Sequence, residues 1–299
     1  MANEKRNNAR DAKGSPPERL RPQSVALRPG NAEVNDIEDA DRYRAPALDK
    51  GLDILELLAS EDEGLTQAEI AKALGRTPNE NYRMLERLVR RGYVSRNGAD
   101  RYELTLKLFG LAHLHRPIRR LVSQATPLMR DLAHKTLQSN HMAIYDRAGV
   151  IIIAQMEAPG YWGMAIRVGA KVDLFNTGSG HVLLAFRSPE ERALMIAEQE
   201  RSNEDSDSPG DLDERIAQVR LRGYEVMPSL QTAGVYNLSA PVLGPGGGAM
   251  AALTCPYITP LGRPKAPDIA ETIVLLVETT SRLSTIINGQ AAEREQISP

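Results

Sequence analysis

Apolar side chains recur at three- and four-residue spacing once the chain passes Pro46. Leu48, Leu52, Ile54, Leu55, Leu57 and Leu58 mark one helix, closed by Gly64. Thr66 with Glu69 three residues on is a capping-box pattern, which fixes the start of a short helix over 66–74. Ile70, Ala71 and Leu74 face inward in it, and Gly75 ends it. A further helix is expected to bury Tyr82, Leu85, Leu88 and Val89, with Arg83, Arg87, Arg90 and Arg91 on or beside its outward face. Extended runs at 93–95 and 101–104, joined by Asn97–Gly98, predict a hairpin.

Residues 104–115 predict an amphipathic connecting helix. Its leucines at 104, 108 and 111 suit either a seam between subunits or packing on its own domain. A second domain begins at Leu121 with a helix to about residue 137, broken in register at Pro127. Strands are expected at 141–146, 150–156, 164–168, 225–227, 235–242 and 250–257. The last two are joined by Gly244–Pro245–Gly246–Gly247–Gly248. Helices are expected at 178–186, 189–200, 212–222 and 267–287, and the acidic stretch 198–213 reads as a loop. Hairpins outnumber β-α-β crossovers, so the class is α+β with an antiparallel sheet. The organisation is then a disordered polar tail (1–44), a winged helix-turn-helix (45–104), a linker helix (105–120), a sheet domain (121–289) and a C-terminal tail (290–299). The basic residues before position 30 read as a solvated tail or as a brush for DNA phosphates.

Across 299 residues, 41 % hydrophobic content supplies two cores. A net charge of −2 excludes a bulk nucleic-acid coat. Between residues 76 and 101, however, seven arginines face three acidic residues, a local excess of +4. A basic face on a nearly neutral protein suits sequence-specific binding. The lone cysteine, Cys255, excludes an internal disulfide and suits a reducing cytoplasm. No apolar run reaches the roughly 20 residues that span a bilayer.

Helix, tight turn, arginine-bearing helix and basic hairpin together read as a winged helix-turn-helix that docks on double-stranded DNA. A recognition helix enters the major groove by its first turn, which puts Thr77, Asn79, Glu80 and Asn81 at base edges. Arg76 and Arg83 reach a base edge or a phosphate, and Arg96 and Arg101 of the wing reach phosphate. Tyr82 and Arg87 complete the expected DNA-facing set. Arg90 and Arg91 read as solvated side chains that complement the helix dipole.

In the second domain, Thr177–Gly178–Ser179–Gly180–His181 opens a helix on glycines. Exposed backbone N–H groups there suit a carboxylate, although a plain tight turn has the same pattern. The spacing fits neither a nucleophile elbow nor a P-loop. The histidines at 113, 115, 134, 141 and 181 show no metal-ligand grouping beyond His113 and His115, which point to different sides of a helix. Cys255 reads as a buried structural thiol. An enzyme would need Ser179, His181 or Cys255 as its catalytic group, and none has a partner at a suggestive spacing. Neither a metal nor a cofactor is expected.

With those residues in order, 47–288 resembles the IclR family of bacterial transcription regulators. The likeness is carried by Tyr82–Arg83–Met84–Leu85, Arg91–Gly92–Tyr93–Val94, Val168–Gly169–Ala170, Gly178–Ser179–Gly180 and Leu183–Leu184–Ala185. Further matches are Arg222–Gly223–Tyr224, Gly234–Val235 and Ala240–Pro241–Val242. The resemblance implies a cytoplasmic dimer or tetramer whose GAF-like second domain binds a small metabolite, typically a carboxylate, and alters operator binding. By position it implies an effector pocket of Gly178, Ser179, Val235, Asn237, Thr254 and Pro256. The sole tryptophan, Trp162, falls in a loop near that pocket. Three positions depart from the pattern. Met227–Pro228–Ser229–Leu230 stands where many members have an acidic pair, Asn237 and Pro256 replace frequent Cys or Ser, and His181 replaces a frequent Lys. The competing expectation is a constitutive DNA-binding dimer whose second domain only oligomerises.

Overall fold

The computed structural model describes residues 45–114, 116–147, 149–160, 163–202, 208–259 and 266–297. The expected tail over 1–44, the His113 side chain, His115 and Trp162 lie outside what it describes.

The N-terminal domain packs helices α1 (Pro46–Ala59), α2 (Gln67–Ala73) and α3 (Pro78–Arg90) against a small antiparallel sheet. That sheet comprises β1 (Leu65–Thr66), β2 (Val94–Arg96) and β3 (Arg101–Leu104) in the order β1–β3–β2. Thr66 caps α2 as its sequence pattern implies. Its hydroxyl accepts from the Glu69 amide at 3.3 Å, and Glu69 Oε2 accepts from the Thr66 amide at 2.8 Å. Ile54, Leu58, Ile70, Leu85, Val94 and Tyr102 close the core.

One assignment in α3 is corrected. Tyr82 is 48 % exposed, and Asn81 is fully buried in its place. Positions 81, 85 and 88 follow the i, i+4, i+7 stripe that faces the core, and Tyr82 lies about 100° around the helix from Asn81. The period was legible and the phase was not.

Helices α4 (Lys107–Leu114) and α5 (Arg116–Thr136) follow. No break occurs at Pro127, and the boundary expected after residue 120 falls inside α5. A proline within a helix costs about 3 kcal/mol. Here Leu121, Ala125, Met129 and Leu132 are all buried along one stripe of α5, and that packing holds the helix together across Pro127.

The C-terminal sheet contains β4 (Asn140–Tyr145), β5 (Val150–Met156), β6 (Lys171–Val172), β7 (Glu225–Pro228), β8 (Val235–Leu243) and β9 (Ala249–Ile258). Its order is β6–β5–β4–β9–β8–β7, antiparallel throughout. No strand forms at 164–168. The chain turns at Val168–Gly169, and edge pairing begins only where the Gly169 amide donates to Ile152 O at 2.7 Å. Helices α6 (Gly178–Ala185), α7 (Pro189–Ser202) and α8 (Leu212–Arg222) lie between β6 and β7 in sequence, so helix claims both ends of the expected acidic loop. The last helix, α9 (Ile269–Ile297), runs past the expected end at 287 and through most of the expected C-terminal tail.

Strand alternation assigns the two faces of this sheet. Leu238, Ala240, Val242, Leu253 and Cys255 join residues of α5 and α9 in one core. Ala143, Ile152 and Ala252 on the opposite face join Val182 to Ala185 of α6 and Ile216 and Val219 of α8. Every residue of α6 is buried.

Candidate DNA interface and effector site

The start of α3 repeats the capping chemistry of α2. Pro78 occupies its first turn, and Glu80 Oε2 accepts from the Thr77 amide and hydroxyl, both at 2.9 Å. These bonds, backbone first, and the Lys50 ammonium at 3.4 Å bring the Glu80 carboxyl down to about 2. Glu80 and Thr77 are thus engaged with their own helix terminus while remaining exposed. The expected place of Asn81 at a base edge is corrected, because a fully buried amide presents nothing to a groove.

The expected arginines divide into two groups. Arg76 lies in the turn before α3 and is bound to Asp53 at 2.5 Å. Arg101 of β3 donates to the Gly64 carbonyl and lies 3.3 Å from Glu69. Both brace the domain. Arg96 pairs with Asp100 at 2.9 Å and lies over the Tyr102 ring, with its side chain still 43 % exposed. Arg83 and Arg87 are exposed and make no ion pair among the described residues. With exposed Asn79 and Tyr82 they form the outward face of α3.

The six expected effector residues lie on or beside the α6 face of the large sheet. Thr177 caps α6 by accepting from the Gly180 amide at 3.1 Å, which leaves the amides of Gly178 and Ser179 for another acceptor. A Cβ on Gly178 would lie 2.5 Å from Ser239 Oγ and 3.6 Å from Asn237 Cβ. A Cβ on Gly180 would lie 2.0 Å from the Leu174 carbonyl oxygen. Glycine is therefore what lets this helix start sit on the sheet. Ser179 Oγ and Thr254 Oγ1 are 2.8 Å apart, and Thr254 Oγ1 is 2.7 Å from Ser239 Oγ. Asn237 is half-buried and pairs in register with buried Pro256, and buried Val235 is two residues further along β8.

Strand pairing extends the site beyond what the sequence indicated. Gln155, His141, Thr254, Ser239 and Glu225 are successive cross-strand partners on β5, β4, β9, β8 and β7. They form one polar row under α6. At one end, His181 of α6 places Nδ1 2.9 Å from Glu225 Oε2 and Nε2 2.7 Å from the Phe175 carbonyl. Arg222 donates to the other carboxylate oxygen at 3.1 Å. Burial opposes the Glu225 charge, but the bonds from His181, the Val226 amide and Arg222 prevail and hold its carboxyl below the usual value. In the middle, burial brings His141 down to about 4, so its ring is neutral at pH 7. Burial likewise pushes the Cys255 thiol up to about 12, on the opposite face of the sheet, where it is an inert packing group. Among the described residues no group of three or more His, Cys, Asp or Glu side chains could hold a metal.

A helix-turn-helix with an outward arginine face, followed by a separate sheet-and-helix domain, defines a DNA-binding transcription regulator. Residues 47–98 match the IclR helix-turn-helix domain, and residues 116–284 match the C-terminal domain of the bacterial transcriptional regulator IclR. The chain belongs to the IclR family, whose members are transcription regulators and not enzymes. It is 31 % identical to the HTH-type transcriptional regulator BhcR of Paracoccus denitrificans, over 73 % of this chain and 78 % of that one. It is 30 % identical to the regulator KdgR of Escherichia coli, over 69 % and 80 % of the two chains. Its fold is similar to an IclR homolog from Microbacterium hydrocarbonoxydans crystallised with 4-hydroxybenzoate, with a TM-score of 0.67 and 19 % identity over 81 % of this chain and 98 % of that one. Among the described residues no helix is long and apolar enough to cross a membrane.

Proposed function

We propose that this regulator binds a small carboxylate at the start of α6 and that occupancy of this site changes its affinity for an operator. The observation that carries the proposal is the pair of amides, Gly178 and Ser179, left by the Thr177 cap. Hydroxyls of Ser179, Thr254 and Ser239 lie beside them. Backbone N–H groups at a helix start favour an anion without needing a cationic side chain. Curated relatives include a glycerol operon regulatory protein and an acetate operon repressor, which fits control by metabolites of small size.

The DNA-reading set is Asn79, Tyr82, Arg83 and Arg87, with Arg96 of the wing on phosphate. The acting species is a homodimer or homotetramer in the cytoplasm, and its seam includes the linker. Leu108, Phe109, Leu111 and Leu114 of α4 are 38 %, 61 %, 46 % and 67 % exposed, an apolar surface that a partner helix would cover. A ligand alters DNA affinity only if it binds the DNA-competent and incompetent arrangements unequally.

The test is operator binding at several salt concentrations, using a site selected from random-sequence DNA. Replacing Arg83 by Ala is expected to weaken binding at least tenfold, and losing one phosphate contact would reduce the salt slope by about one. Unchanged affinity would remove α3 as the reading helix.

A further inference from the structure

His141 is a buried member of the polar row whose chemistry nothing above uses. It lies in β4 directly opposite Thr254, on the face that α6 covers. The residue is 4 % exposed, and its Nδ1 is buried with no hydrogen-bond partner. The polar groups around it are committed elsewhere. Thr254 Oγ1 is shared between Ser179 and Ser239, and Gln155 Oε1 accepts from the Ile166 amide at 3.4 Å. Ser139 Oγ, two residues before His141 and just ahead of β4, accepts from the Ala158 amide at 3.0 Å. A buried imidazole nitrogen without a partner carries an uncompensated loss of hydration, and native interiors rarely leave one.

The ring is uncharged at neutral pH, so it offers no charge to hold a second carboxylate. In a neutral imidazole Nδ1 is an acceptor in one tautomer and a donor in the other. A hydroxyl satisfies either, because it both donates and accepts. Thr254 is next to His141 across the strands and next to Ser179 at the helix start, so a small molecule anchored at the α6 amides has His141 within reach of a substituent.

We propose that His141 Nδ1 receives the hydroxyl of a hydroxy acid whose carboxylate sits at the Gly178 and Ser179 amides. The inference rests on the carboxylate reading of that helix start and adds the ligand class: acids with a free hydroxyl in preference to the same acids without it.

The experiment is calorimetric titration of the full chain with matched pairs: glycolate and acetate, (S)-lactate and propionate, 4-hydroxybenzoate and benzoate. At least one hydroxy acid is expected to bind about tenfold more tightly than its deoxy partner, the scale of one net hydrogen bond. His141→Phe should erase that preference by weakening only the hydroxy acid. His141→Asn, which keeps a hydrogen-bonding atom near the Nδ1 position, should retain it, and His141→Leu gives the same reading as Phe if the Phe variant does not fold. Tight binding of the plain acids with no preference for hydroxyl would overturn this inference and leave the carboxylate site standing. A preference that survives both apolar variants would also overturn it. If no acid binds, the carboxylate site falls and the inference falls with it.

Discussion

His181 and Glu225 are 44 residues apart in sequence, yet Nδ1 of one and Oε2 of the other are 2.9 Å apart inside the sheet domain. Nε2 of the same ring is 2.7 Å from the Phe175 carbonyl oxygen, so both ring nitrogens are engaged. The pair thereby ties the second turn of α6 to β7 and to the loop that precedes α6. Glu225→Gln keeps the shape and removes the charge. Breaking a buried pair from one side costs about 3 kcal/mol or more, so the thermal midpoint of the domain should fall by several degrees. A midpoint within one degree of the wild-type value would show that the pair is dispensable.

Acid should uncover the same carboxylate. The Glu225 carboxyl is lower in the folded chain than its ordinary 4.5, so its contribution is present above that value and is lost as pH falls through the lowered one. His141 acts in a higher window. Its folded value of about 4 lies below the ordinary 6.5, so the unfolded chain binds a proton between those values and the folded chain does not. Stability should therefore decline as pH falls from 6.5 to 4, by about 3 kcal/mol for the full shift. Denaturant melts of wild type and His141→Asn across that range check it, and the variant should be flatter. Parallel curves would contradict a buried neutral ring.

The two glycines of the α6 start should respond differently to alanine. At Gly180 the new methyl would meet the Leu174 backbone, which cannot rotate away, so Gly180→Ala should leave the sheet domain largely unfolded. At Gly178 the obstacle is the Ser239 hydroxyl, which can swing aside by giving up Thr254. Gly178→Ala should fold and lose ligand affinity. Circular dichroism with ligand titration separates the two outcomes, and equal stability for both variants would refute the distinction.

Asn81 should prove a cost to the DNA-binding domain. Its amide is fully buried, with both Nδ2 and Oδ1 lacking partners. Replacement by Leu, which has the same branched heavy-atom skeleton, removes two unsatisfied groups worth about 1–3 kcal/mol each. The variant should melt higher and bind operator with wild-type affinity. A loss of affinity with the fold intact would return Asn81 to the reading face.

What the sequence disclosed follows from the range of each signal. Capping at Thr66, the hairpin turn at Asn97–Gly98 and α8 over Leu212–Arg222 depend on residues within one or two turns of each other, and all were legible. Thr77 and Glu80 carry the same cap spacing at the start of α3. Asn81 and Tyr82 were exchanged because a period does not fix its own phase when a polar residue takes the inward position. Ser179 and Thr254 belonged together by family pattern. His141, Ser239 and Glu225 joined them only once β9 was found between β4 and β8, a pairing no local pattern encodes.

The central claim is that a carboxylate at the α6 start is felt by the operator-binding surface. Fluorescence anisotropy of a labelled operator, titrated with protein at zero and saturating concentrations of a carboxylate that binds, tests it most directly. The predicted result is an apparent Kd that changes at least fivefold for the wild type, the low end of typical allosteric coupling, and much less for Gly178→Ala at the same ligand concentration. An operator affinity that stays the same while the ligand demonstrably occupies the protein would contradict the account.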